Sequence, residues 1–121
     1  MKIKELTIDD KQVRFAASAS IPRLYRNKFD RDIILDMKQL QDDMREKGKN
    51  DEREESNIPI QSLNIFENIA YIMARHADNS IPESVYDWLD RFDTFSIYTI
   101  FPELADLWNM NNKTMSVPKK K

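Results

Sequence analysis

The chain has no cysteine, one histidine and one glycine among its 121 residues. Each shortage removes a class of chemistry. Without cysteine there is no disulfide, no thiolate nucleophile and no thiolate metal ligand. A lone His76 leaves little from which to build a Ser–His–Asp constellation or a histidine metal site. Phosphate-cradling loops need several glycines whose backbone approaches the ligand closely, and Gly48 stands alone, which excludes nucleotide-binding enzymes of the P-loop and Rossmann kinds. No Asp-x-Asp-x-Asp-Gly run offers a calcium loop. No segment reaches the roughly 18 uninterrupted apolar residues of a membrane span. The start, MKIKELTIDDK, lacks the apolar run of a signal peptide, so a cytoplasmic protein is expected. A non-enzymatic binding protein without cofactor or metal is the reading that these shortages favour.

What is present is ample for one folded domain. Hydrophobic residues make up 40% and charged residues 33% of the chain, well outside the disordered class. At this length about two-thirds of the unfolded surface is buried on folding. Leu, Ile, Met, Glu, Asp, Lys and Arg dominate, which favours helix. The net charge is −2, too small for strong attraction to nucleic acid overall. The charges are nonetheless segregated along the chain. Lys11, Arg14, Arg23, Arg26, Lys28 and Arg31 gather early, while Asp78, Glu83, Asp87, Asp90, Asp93, Glu103 and Asp106 dominate the second half. Either these are solvated helix faces, or they are complementary surfaces for self-association or for a partner.

Residues 2–8 (KIKELTI) and 12–16 (QVRFA) alternate in part and carry β-branched side chains, with Asp9-Asp10-Lys11 as turn chemistry between them; this predicts a hairpin over 2–16. Ser20-Ile21-Pro22 opens a helix by capping and by proline near the first turn. Leu24, Tyr25, Phe29, Ile33, Met37, Leu40 and Met44 follow at helical spacing. A break at Asn27–Asp30 is possible, with Asp30 capping a second helix. Residues 46–57 (EKGKNDEREESN) have no apolar side chain and read as a mobile linker. Leu63, Phe66, Ile69, Ala70, Met73 and Ala77 mark the next helix, ended by Asp78-Asn79. Ser80-Ile81-Pro82-Glu83 has the form of a capping box ahead of a short helix with Val85, Trp88, Leu89 and Phe92. A last helix starts near Thr94 or Ser96, and Pro102 is expected to kink or divide it. Residues 111–121 read as a disordered basic tail. The fold class is therefore mainly α: a small N-terminal β-hairpin followed by a compact bundle of about four to six helices, in a single domain over 1–110.

Among candidate functional residues, His76 lies at a helix C-terminal turn, where the dipole favours the cation. The pairs Asp42-Asp43 and Glu54-Glu55 read as solvated charges. Arg23-Leu24-Tyr25-Arg26-Asn27-Lys28-Phe29 interleaves basic and aromatic residues, the pattern of phosphate contact with stacking. Helical spacing instead turns Tyr25 and Phe29 to the core. The six aromatics Trp88, Phe92, Phe95, Tyr98, Phe101 and Trp108 read mostly as core; they exceed what a thin helical layer needs, and the alternative is that some of them form an exposed binding patch. Reasoning from exposure alone gives Arg23, Arg26, Tyr71, Trp88, Tyr98 and Trp108 as partner-binding candidates.

Phe15 to Arg26 (FAASASIPRLYR) with Phe29-Asp30-Arg31-Asp32-Ile33 resembles the N-terminal part of tail assembly chaperones of long-tailed phages and prophages of Gram-positive bacteria. Ile65 to Ala74 (IFENIAYIMA) resembles that family's central helix, and Trp88 to Tyr98 (WLDRFDTFSIY) with Leu107-Trp108 its C-terminal part. The pieces occur in order over residues 15–109. The family often has glycine where this chain has Asp30, which supports a break there. The resemblance implies a non-catalytic protein that binds the tape measure protein, keeps it soluble and recruits tail tube subunits. It implies action in the host cytoplasm and absence from the finished virion. It also implies that a longer, frameshifted form is common in relatives; the closing Lys119-Lys120-Lys121 is compatible with a slippery codon run, and equally with a solubilising tail. Six Met residues offer adaptable contacts for a long helical partner, many copies would bind by avidity, and complementary charge would link copies into spirals or rings. The alternative is a small regulator that binds nucleic acid through Arg23–Arg31.

Overall fold

The computed structural model describes residues 1–50 and 58–115, with side chains for 1–45 and 58–109. Two antiparallel strands come first, β1 (Lys2–Ile8) and β2 (Lys11–Ala17), in a register that sets Leu6 opposite Val13 and Ile8 opposite Lys11. That register leaves a two-residue loop, Asp9-Asp10, with φ of 55° and 66°. Positive φ at both positions is the type I′ turn whose twist matches paired strands, and Asp tolerates it better than most residues. Among the described residues five helices follow: α1 (Ile21–Phe29), α2 (Ile33–Asn50), α3 (Ile60–Ala77), α4 (Val85–Leu89) and α5 (Ile97–Met115). This is the mainly α fold with an N-terminal hairpin that the pattern predicts.

The helix boundaries correct several expectations. The first apolar run is two helices, broken at Asp30 as the sequence left open. Asp30 adopts the left-handed conformation (φ 59°, ψ 39°), and its N–H bonds the Arg26 carbonyl, so it ends α1 rather than capping α2. Asp32 starts α2 by accepting the Ile34 N–H at 2.8 Å. Ser20 makes no side-chain cap. Ser80 is not a helix cap: it bonds Asp78 in a local turn, and Ser84 caps α4 by accepting the Asp87 N–H. Pro102 lies inside α5 without dividing it. Residues 46–50, read as linker, continue α2, and 111–115, read as tail, continue α5. The remaining parts of those two expectations, 51–57 and 116–121, lie outside the described residues.

α3 is the hub. It packs on β2, α1, α2, α4 and α5, and Ile69 through Ala74 are all buried, as expected for a helix covered on every side. Val13, Phe15 and Ala17 bring the inner face of β2 against it. Three of the six aromatics of the 88–108 stretch, Trp88, Phe92 and Phe95, join Tyr25, Phe29, Phe66 and Tyr71 in one continuous ladder. Tyr25 meets Phe29 at 5.0 Å, Phe29 meets Tyr71, Tyr71 meets Trp88, and Trp88 meets Phe92 and Phe95, the latter 5.4 Å from Phe66. All of these pairs are tilted or edge-on, the geometry that the ring quadrupole favours. Polar ties join the hairpin to the rest. Lys4 bridges Glu103 (2.9 Å) and Asp106 (3.3 Å) of α5, and Asp9 accepts the Asp93 N–H at 2.9 Å.

Candidate partner-binding surface

The corner between α1 and α2 is built by a buried charge network. Asp36 is only 4% exposed. It accepts the Tyr25 hydroxyl at 2.7 Å and both Arg31 donors at 2.7 and 2.8 Å. Burial pushes the Asp36 carboxyl up; the Arg31 guanidinium and the Tyr25 hydroxyl outweigh it and hold it below the usual carboxylate range. Burial and the Asp36 charge drive the Tyr25 phenol far up, so it stays a donor. Asp36 lies three residues after Ile33 and four before Leu40, on the apolar stripe; that spacing is the signal by which a buried carboxylate here was readable.

The same turn of α2 leaves apolar surface uncovered. Ile33, Ile34 and Leu35 are consecutive, and a helix can turn only part of such a run inward. Ile33 is buried, whereas Ile34 is 57% and Leu35 64% exposed. Leu35 lines a cleft of about 470 Å³ with Pro59 and Ile65 from the start of α3 and with Asp30, Asp32 and Asp43. Ile60, next to Pro59, is 77% exposed. Ile3 and Tyr86 are exposed elsewhere. The Ile33-Ile34-Leu35 run was the sequence signal for this surface, and an aromatic-centred reading passes over it.

The six candidates fall in different places. Arg23 and Arg26 are exposed on α1. Tyr98 is half-buried against the core. Tyr71, Trp88 and Trp108 are buried, which corrects the expectation that they present their rings to a partner: Tyr71 and Trp88 are rungs of the aromatic ladder, and Trp108 belongs to the hydrophobic core. The basic strip is similarly changed. Tyr25 is fully buried, Arg31 is bound to Asp36, and Lys28 donates to the Glu83 carbonyl while lying 5.5 Å from the Tyr71 ring centroid. Met37 and Met73 are core residues, so their adaptable contacts serve packing.

His76 is not the helix-end cation expected. Its Nε2 lies 2.9 Å from Ser18 Oγ. Burial, and then the N-terminal ammonium group, lower its pKa, so the ring is neutral near pH 7. A Ser–His contact invites a nucleophile–base reading. Here Ser18 Oγ also accepts the Ser20 N–H, and Ser18 does not line the cleft of about 500 Å³ that His76 shares with Leu24, Tyr71 and Arg75. The pair ties the β2–α1 corner to the end of α3. Among the described residues no cluster of three His, Cys, Asp or Glu is placed to hold a metal ion, and no helix is long and apolar enough to cross a membrane. No known protein family, curated protein or solved structure matches the chain.

Proposed function

We propose that the protein is a non-catalytic assembly chaperone of the phage tail kind. It binds the tape measure protein in the bacterial cytoplasm, keeps it soluble and helps recruit tail tube subunits around it. The sequence resemblance over 15–109 motivates this reading, and one structural observation carries it furthest: Ile34, Leu35 and Ile60 stay exposed at the starts of α2 and α3, where they are available to cover an apolar stripe on another protein. A long helical partner presents such stripes repeatedly, so modest contacts from many copies add by avidity. Arg23 and Arg26, exposed on α1, supply charge for contacts between neighbouring copies.

The test is co-expression with the large protein encoded just downstream, followed by pull-down and a solubility assay. The expected outcome is that the large protein is soluble only in the presence of this chain and co-purifies with several copies of it, counted by sedimentation. A large protein that is soluble alone and captures nothing overturns the reading. Retention of this chain on DNA with a steep salt dependence would replace it by the nucleic-acid alternative.

A further inference from the structure

We infer that the cleft between α2 and the start of α3 is a docking groove for an amphipathic helix of a protein partner, with an apolar stripe flanked by lysine or arginine. The inference rests on the chaperone reading and gives it a location and a chemistry.

The apolar part comes from the exposed Leu35 and Pro59, with Ile65, itself buried, also lining the cleft. A second cleft of about 380 Å³ shares Asp30, Arg31 and Asp32 with the first and is lined by Ile34. Consecutive residues on a helix point about 100° apart, so Ile34 and Leu35 form a ridge with a cleft on either side. Both walls of the larger cleft are helical, which suits a third helix that sets i, i+3 and i+4 side chains into it.

The charged part selects the partner's sign. Arg31 is the cation nearest in sequence, yet its guanidinium is committed to Asp36 by two hydrogen bonds, so it does not neutralise the rim. Asp30 and Asp32 are exposed and have no cationic partner among the described ion pairs. Asp43 is met by neutral groups, the Ser62 hydroxyl and the Gln39 amide. Among the described residues, three carboxylates without a cationic partner thus line the cleft beside the apolar wall. They repel nucleic acid and acidic peptides and attract a basic flank. Arg26 stands on the α1 side of the second cleft only, so the acidic character belongs to the α2–α3 cleft.

The experiment uses the full chain and three labelled peptides of about 20 residues, long enough to form a helix: a leucine–lysine amphipathic helix, its scrambled counterpart, and the same helix with glutamate for lysine. Fluorescence anisotropy is expected to show binding of the first alone, weakened by salt. Leu35→Asp should weaken it on the order of tenfold, the loss typical of a central anchor, with an unchanged thermal melt; Leu35→Ala serves if the aspartate variant melts lower. Asp30→Asn with Asp43→Asn, which keep the left-handed corner and the acceptor for Ser62, should flatten the salt dependence. Equal binding of all three peptides, or unchanged binding by both Leu35 variants, overturns the groove. The co-expression assay separates the two readings. A large protein solubilised equally by wild type and Leu35→Asp refutes the groove and leaves the chaperone. Selective peptide binding that is lost in Leu35→Asp, with a large protein that the wild type itself neither solubilises nor captures, supports the groove and refutes the chaperone.

Discussion

Asp36 and His76 show how a single side chain can reverse the reading of its sequence neighbourhood. A carboxylate in an apolar stripe costs several kcal/mol unless its charge is matched; Arg31 and Tyr25 match Asp36 within 2.8 Å. Asp36 was readable from spacing, but its partners were not, because the turn at Asp30 is what brings Arg31 back against α2. His76 follows the opposite course. The helix dipole favours its cation, and burial beside the N-terminal ammonium group outweighs the dipole. The folded state therefore resists a proton that the unfolded chain accepts near the ordinary value of 6.5. Stability from this group is complete above that value and is lost as pH falls below it toward the folded pKa. Urea midpoints measured from pH 7 to 5 are expected to fall in the wild type. They should fall less in His76→Gln, which keeps a partner for Ser18. An equal fall in both would place the pH dependence elsewhere.

At the scale of elements, the break between α1 and α2 decides where the acidic corner stands. Asp30 is left-handed, a conformation that costs a typical residue about 1–2 kcal/mol. Asp30→Gly is expected to hold stability or raise it slightly. Asp30→Val should lose about 1–2 kcal/mol, read as a lower urea midpoint by circular dichroism. Equal midpoints for the two variants would mean that packing, and not the corner residue, sets the break. The hairpin was legible because Asp-Asp between two β-branched runs has local turn chemistry. The cap before α4 was misassigned because Ser80 and Ser84 offer the same local signal, and only the backbone path after Asp78 selects the second.

For the molecule as a whole, the aromatic ladder ties α1, α3, α4 and the segment before α5 together. Trp88 is almost the whole buried face of the five-residue α4 and touches Tyr71, Phe92 and Phe95. Trp88→Ala should cost roughly 3–5 kcal/mol, a large share of the roughly 5–15 kcal/mol that holds a domain of this kind together. Urea unfolding measures it directly. A variant as stable as wild type would show Trp88 to be a surface anchor after all.

The sequence by itself determined the hairpin, the helical character and most of the core, because turn chemistry and apolar periodicity act over a few neighbouring residues. It also marked where a helix was open to breaking at Asp30. Only the tertiary structure decided which of several equivalent apolar or charged side chains became surface. Trp88 and Leu35 are both apolar residues in the first turn or two of a helix; one is enclosed because α3 and the loop before α5 converge on it, and the other is left out because Ile33 already fills the inward position. Arg31 and Arg26 differ in the same way, one neutralised by a buried carboxylate and one left in water. Periodicity gives a residue its face, and the packing of distant elements determines whether that face is covered.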